Sequence, residues 1–335
     1  MAAVELPRYV QIEPVGQCNL RCQMCSIQFR TDGPPNGPPA FMAFADFTRM
    51  VDEFDGLGEL HLQGLGEPMM HPRFFDMVRY AVEKGIRVTT NSNLTLLNAR
   101  RAEQCVTSGL DTLHVSLDGA NAATYERIRV RAHFARVVGN LARLLETRRR
   151  LGSDRPHLRM VMVLMRQNLD ELPDLVRLAA RYEMEGVFAQ HLCHDFGEAS
   201  LPAHYRPMRE FVQAQTLLEE DPGRIDRAFD AARAVARQVG IELRLPRTRV
   251  RPHPPGTPGP ERCSWPWTGA YISYQGYAMP CCMVSTPDRI NFGNMAAKGV
   301  RATWNSAAFA AFRAQLASDD PPDICRSCAL YTGTF

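Results

Sequence analysis

Between residues 9 and 191 the apolar positions of the chain switch repeatedly between two periods. Short runs rich in β-branched and aliphatic residues occur at YVQIE (9–13), ELHLQ (59–63), IRVTT (86–90), TLHVSL (112–117), LRMVMVLM (158–165) and GVFAQHL (186–192). These read as strands. Between them the apolar spacing is helical, as in FFDMVRYAVEKG, where Gly85 supplies a left-handed stop. Strand and helix alternating in this way predict an α/β fold, a parallel sheet joined by right-handed crossovers. Six such units are too few for a closed eight-fold barrel and enough for an open, partial one.

Residues 200–240 read as helical. The segment PRTRVRPHPPGTPGPERC (246–263) is too rich in Pro and Gly to be anything but a linker. Beyond it come short paired strands around AYISYQGYAMPCC, a helix over SAAFAAFRAQLAS, and the pair CRSC. The expected division is a core over 1–199, a helical connection and linker over 200–262, and a small Cys-rich domain over 263–335. No repeat of solenoid period is present.

With 335 residues, 45% of them hydrophobic, and a net charge of +3, the composition is that of an ordinary globular enzyme. No basic tail or aromatic-interleaved basic stripe marks a nucleic-acid partner. The Arg148-Arg149-Arg150 triplet closes a helical run, where cations suit the negative end of the macrodipole. No stretch approaches the roughly 18 uninterrupted apolar residues of a membrane span, and MAAVELPRYV lacks the marks of a signal peptide. The expectation is a cytoplasmic protein. In that reducing compartment ten cysteines need a purpose other than disulfides.

Three of them, Cys18, Cys22 and Cys25, fall in CNLRCQMC directly after the first strand, where a parallel sheet presents its ligand-binding loops. A closed zinc site asks for a fourth protein ligand, and no Cys or His lies near enough in sequence to supply one. A 4Fe-4S cluster held by three thiolates leaves one iron open to a small-molecule chelate. Buried thiols or a zinc site remain the alternatives.

Cys-x3-Cys-x2-Cys after the first strand of a partial (β/α)6 barrel resembles the radical S-adenosylmethionine (SAM) superfamily. That resemblance implies that the amino and carboxylate groups of SAM chelate the open iron, and that one electron splits the sulfonium into methionine and a 5'-deoxyadenosyl radical. Relatives often carry an aromatic residue where this chain has Met24. The segment GLGEP, Gly64 to Pro68, resembles the family's Gly-Gly-Glu-Pro with Leu65 in place of the first glycine. By resemblance the backbone of Gly64 and Gly66 and the carboxylate of Glu67 receive the SAM amino group. Asn91 and Asn93 after the third strand, and Ser116 and Asp118 after the fourth, correspond to residues that bond the SAM ribose or carboxylate. Arg129 in YERIR corresponds to an arginine that faces the carboxylate.

Cys263, Cys281, Cys325 and Cys328 form a second soft-ligand group that fits zinc or a fully ligated iron-sulfur cluster. Their pattern resembles the twitch form of the SPASM extension of radical SAM enzymes, which implies one auxiliary 4Fe-4S cluster. The Gly276-x4-Cys register favours Cys281 over its neighbour Cys282 as ligand.

Cys105, inside a helical run, reads as a small buried apolar residue. Cys193 lies in QHLCHDF beside His191, His194 and Asp195, where with Glu198 an acidic, His-containing mouth is expected. A thiol there could return a hydrogen atom to a substrate radical. Twitch enzymes of the family resembled include epimerases and dehydrogenases of aminocyclitol and aminoglycoside carbons, and with the barrel pattern starting at once and one auxiliary cluster expected, the resemblance implies a sugar-like aminoglycoside or aminocyclitol substrate epimerised with Cys193 as hydrogen donor. The alternatives are a dehydrogenase that passes its electron to the auxiliary cluster, a peptide-modifying SPASM enzyme, and a zinc-binding module without activity. The expected partners are a small-molecule substrate and an external electron donor such as flavodoxin or ferredoxin.

Overall fold

A computed structural model of the chain describes residues 4–33, 40–192 and 196–335. Seven strands follow one another across the sheet in chain order: β1 (Tyr9–Ile12), β2 (Glu59–Leu62), β3 (Arg87–Ser92), β4 (Thr112–Ser116), β5 (His157–Leu164), β6 (Gly186–His191) and β7 (Glu242–Arg244). β8 (Gly269–Ile272) returns to pair parallel with β1, and β9 (Ala278–Met279) runs antiparallel to β8, so the sheet has nine strands. The six expected strands are all present, within two residues of their predicted ends. The fold is the expected α/β partial barrel; its sheet also carries β7, which the periodicity left unassigned, and the short pair β8 and β9, which was expected in the small Cys-rich domain.

Helices cover the outside of the sheet. They include α1 (Phe44–Glu53), α2 (Phe74–Glu83), α3 (Ala99–Thr107), α4 (Ala122–Ile128), α5 (Phe134–Arg150) and α6 (Leu172–Arg181). α2 ends as the sequence indicates, with Gly85 at φ +77°, and Asn98 and Asn121 cap α3 and α4 through their side-chain oxygens. Side chains alternate along every strand. One set, including Val10, Leu60, Val88, Leu113, Met160 and Val187, is fully buried against the helices. The opposite set, including Gln11, His61, Asn91, Ser116, Val163 and Gln190, borders a central cavity. Cys105 is fully buried on α3, as expected of a small apolar side chain.

The segment after the linker does not build a separate sheet, because β8 is hydrogen-bonded to β1 in the register Tyr9↔Gly269 to Ile12↔Ile272. Among the described residues no helix is long and apolar enough to cross a membrane.

Candidate active site

The loop between β1 and α1 carries Cys18, Cys22 and Cys25, all unpaired thiols. A turn from Cys25 N–H to Cys22 O at 3.1 Å draws the last two together. A two-residue antiparallel ladder then joins Arg21–Cys22 to Arg129–Val130 and makes Cys22 the register partner of Arg129. The sulfurs accept weak N–H bonds: Cys18 Sγ from Leu20 N at 3.4 Å and from Asn93 Nδ2 at 3.7 Å, and Cys22 Sγ from Arg129 Nη1 at 3.9 Å. N–H donors aimed at sulfur stabilise thiolates and tune clusters bound by them, so the donor set fits an iron-sulfur cluster. Burial pushes all three thiols up, Cys22 to about 12. Without metal they stay protonated, and metal binding must displace those protons.

The GLGEP loop packs directly on the cysteine loop. A side chain at Gly66 would sit 2.1 Å from Val15 O and 2.6 Å from Gln17 O, and one at Gly64 would strike the Glu13 side chain at 2.3 Å. Close approach of two protein loops therefore accounts for both glycines, where the sequence had suggested close approach of a ligand. Glu67 N–H donates to Gln17 O at 3.0 Å. Its buried carboxylate accepts from Ser92 Oγ at 2.7 Å, Asn93 N at 2.8 Å and Met69 N at 3.2 Å. Glu67 borders the cavity, yet its oxygens are engaged in tying this loop to the end of β3. Pro68, also buried, begins a short 3-10 turn and is not part of the cavity wall.

Gly64, Gly66, Glu67, Asn91, Asn93, Ser116 and Arg129 all border one cavity of about 460 Å³, together with Cys18, Cys22, Met24 and Cys25. Asp118 does not. Its Oδ1 accepts from Val163 N at 2.7 Å and its Oδ2 lies 2.6 Å from Arg129 Nε, so it anchors Arg129 from behind. Asn93 uses its amide oxygen on Thr95, at 2.9 Å to N and 2.6 Å to Oγ1.

Sequence reasoning missed a buried ion pair beneath this site. Glu13, at the end of β1, meets the guanidinium of Arg30 at 2.7 and 2.8 Å, with both side chains at most 1% exposed. Arg30 also holds Asp32, and Glu13 accepts from Leu65 N at 3.0 Å. The charges thus pin the far end of the cysteine loop to the GLGEP loop. Charged side chains carry no periodic signal that would mark them as buried.

Cys281 is buried with Cys263, Cys282, Cys325 and Cys328 as neighbouring thiols, and burial with these neighbours pushes its own thiol well up. None of Cys263, Cys281, Cys325 and Cys328 borders the cavity, whereas Cys282 does, with Met283 and Ser285. Of the expected mouth, Glu198 is buried and paired with Arg289, Nε to Oε1 at 2.8 Å. His191 is turned away, its Nε2 2.8 Å from Arg247 O. Cys193, His194 and Asp195 lie outside the described residues.

An open α/β barrel whose first strand delivers three thiols to a cavity, with a further thiol group behind the facing wall, defines a metal-cluster enzyme of barrel type. Residues 12–179, just over half of the chain, match the Radical SAM superfamily, and residues 263–329 match SPASM, an iron-sulfur cluster-binding domain. The chain belongs to the radical SAM superfamily. Its cofactors are SAM with a 4Fe-4S cluster and an auxiliary 4Fe-4S cluster, and the zinc-only reading is set aside.

The chain is 27% identical over 187 residues to a tungsten-containing aldehyde ferredoxin oxidoreductase cofactor-modifying protein of Pyrococcus furiosus, covering 55% of this chain and 51% of that protein. It is 25% identical over 98% of its length to an AdoMet-dependent heme synthase of Methanosarcina barkeri, covering 90% of that protein. Identity is again 25%, over 97% of this chain, to a PqqA peptide cyclase of Ruegeria pomeroyi, of which 80% is covered. Among solved structures, Streptococcus suis SuiB bound to precursor peptide SuiA superposes with a TM-score of 0.70 at 15% identity, over 98% of this chain and 71% of that one. This likeness is one of fold.

Proposed function

We propose that the protein is a radical SAM enzyme that modifies a peptide side chain held in the barrel cavity. Cys18, Cys22 and Cys25 hold the SAM-binding cluster, and Cys263, Cys281, Cys325 and Cys328 hold the auxiliary one. Arg129, braced by Asp118, faces the SAM carboxylate. The backbone of Gly64–Glu67 and the side chains of Asn91, Asn93 and Ser116 contribute neutral polar contacts. When bound and reduced, the first cluster and SAM supply a 5'-deoxyadenosyl radical that takes a hydrogen atom from substrate. The electron comes from an external donor such as a flavodoxin or ferredoxin.

The carrying observation is the chemistry of the cavity wall. Around the space left beside the SAM contacts stand Gln11, Gln63 and Gln190, and among the described wall residues Arg129 is the sole arginine or lysine. Amides both donate and accept, and so suit peptide N–H and C=O groups. A tetrapyrrole with several carboxylates would call for more cations. A cavity of about 460 Å³ is of the size that takes one small molecule, and with SAM inside it leaves room for a side chain more readily than for a macrocycle. Similarity to a peptide cyclase over nearly the whole chain supports the same reading, ahead of the aminocyclitol epimerisation and secondary-alcohol oxidation expected from the sequence.

The test is anaerobic incubation of reconstituted enzyme with SAM, dithionite and synthetic peptides translated from short reading frames flanking its gene. Loss of hydrogen from one peptide, located by tandem mass spectrometry and matched by 5'-deoxyadenosine, is the expected outcome. Turnover of a carboxylated iron porphyrin or an aminocyclitol, with every peptide unchanged, would overturn the reading.

A further inference from the structure

His61 sits on β2 with its ring bordering the cavity and only 8% of its surface exposed. Its register partners are Gln11 on β1 and Thr89 on β3. Nδ1 lies 2.7 Å from Thr89 Oγ1, and that hydroxyl lies 3.4 Å from Oε1 of Glu59, the first residue of β2. Glu59 stands at the foot of the barrel with 26% of its side chain exposed, paired with Arg87. These three side chains form a polar line from the cavity to solvent that runs along the inner face of the sheet to the barrel foot.

The chemistry of the line fixes its direction. A carboxylate only accepts, so the single proton of the Thr89 hydroxyl turns toward Glu59. The Thr89 oxygen is then an acceptor, and the hydrogen on the short bond belongs to His61 Nδ1. Nε2 is left as the acceptor nitrogen, beside the Gln63 side chain, on a ring that borders the cavity. Burial and the His114 ring, 5.9 Å away on β4, lower the His61 pKa to about 3, and the Gln63 side chain works weakly the other way. The remaining charged groups near this line, Glu59, Arg87 and Asp111, cluster at the barrel foot. The ring is therefore neutral at physiological pH, and a ring so averse to positive charge hands a proton on and does not store it.

We propose that His61, Thr89 and Glu59 are a proton relay that drains the reaction chamber along the inner face of the sheet to the barrel foot. Nε2 takes the proton from an N–H or O–H of the bound substrate, which keeps the electron pair of the broken bond. The Nδ1 proton passes to the Thr89 oxygen, and the Thr89 hydroxyl proton passes to Glu59, which releases it to water. The ring recovers its starting tautomer by exchange with water when product leaves. His61 is the catalytic member, and Thr89 and Glu59 are positioning residues acting through it. The proposal rests on the cavity being the reaction chamber and not on the substrate being a peptide.

Long-range proton-nitrogen NMR of the reconstituted protein labelled with 15N-histidine, with His61 signals assigned by their loss in His61→Gln, reads the tautomer without any substrate. The expected result is a neutral ring protonated at Nδ1 down to about pH 4, converting to the Nε2–H form in Thr89→Val. A ring protonated at Nε2 in the unmutated protein would overturn the relay. In turnover, the ratio of product to 5'-deoxyadenosine should fall about tenfold or more in Thr89→Val and recover in Thr89→Ser. An unchanged ratio in Thr89→Val, or an equal fall in Thr89→Ser, would also overturn it. If the tautomer is as expected while no peptide turns over, the relay is upheld and the peptide reading fails.

Discussion

Replacing Arg30 by Met tests whether a buried charge pair, more than the cysteines themselves, gives the cluster loop its shape. In the native protein the Arg30 guanidinium makes two bonds to Glu13, at 2.7 and 2.8 Å, with both side chains at most 1% exposed. Methionine fills much of the same volume but leaves the Glu13 carboxylate with only the N–H groups of Leu65 and Tyr274, at 3.0 and 3.3 Å. Removing one member of a buried pair costs about 3–5 kcal/mol, because the other charge stays buried without its partner. For a chain of 335 residues the unfolding entropy is on the order of 0.7 kcal/mol per kelvin, which converts this cost to a melting shift of about 4–7 °C. Glu13→Gln in the same chain removes the stranded charge, and the double variant should regain more than half of the loss. Anaerobic thermal melts followed by circular dichroism, with and without reconstituted iron, give the numbers. A single variant melting within about 1 °C of the parent, or a double variant no more stable than Arg30→Met, would show that the pair does not carry the loop.

Other outcomes follow from the same geometry. Cys281→Ser should lose about half of the bound iron with the SAM-dependent half intact, while Cys282→Ser should keep both portions, because Cys281 neighbours Cys263, Cys325 and Cys328 together, whereas Cys282 lacks Cys325 as a neighbour and borders the cavity; iron analysis and Mössbauer spectroscopy distinguish the two. Gly66→Ala should abolish assembly of the first cluster, since its methyl would lie 2.1 Å from Val15 O and backbone cannot step aside without parting the two loops; absorbance after reconstitution reads this. Acid should destabilise the fold through His61 and His114, whose pKa values burial lowers to about 3 and about 4. The unfolded chain takes up protons below about pH 6.5 that the folded chain refuses, so stability is complete above that pH and falls below it by roughly 1.4 kcal/mol per pH unit for each ring. Urea melts between pH 7 and 5 check the slope, which His61→Gln should reduce.

What the sequence disclosed, and what it hid, divides along physical lines. The six strands of the barrel were legible because each is an apolar run set between helical periods, and β5 shows strict alternation of buried and half-buried residues over its full length. β7 was not, since its three residues carry two exposed charges around a single half-buried leucine, too short for a period to show. β8 looked like part of a separate domain because its partner β1 lies some 260 residues earlier, and no local pattern encodes such a pairing. The thiol spacing located the cluster loop, but the neighbour that gives Cys22 its cation, Arg129, comes from a two-residue ladder too short for any period. Asp118 shows the limit of register counting. It shares parity with Ser116, which borders the cavity, yet the strand ends at Ser116 and the turn beyond carries Asp118 behind Arg129.

The polar lining of the barrel connects the fold to its chemistry. A barrel built only for stability would fill its interior with branched aliphatic side chains in layers. Here the inward positions Gln11, His61, Thr89, Asn91, Ser116 and Gln190 forgo that burial energy, and they satisfy one another only in part, as in the bond from Gln11 Nε2 to Gln63 Oε1 at 2.9 Å. A buried polar side chain costs stability unless it finds partners, so a lumen with this lining suits the wall of a chamber that takes a polar ligand. The apolar atoms removed from the lumen are balanced by the outward faces of the same strands, where Leu60, Leu62, Val88 and Leu113 are wholly buried against helices. The sheet thus separates its tasks by face: the outer face holds the fold together, and the inner face keeps donors, acceptors and the His61 imidazole beside the place where the radical is made.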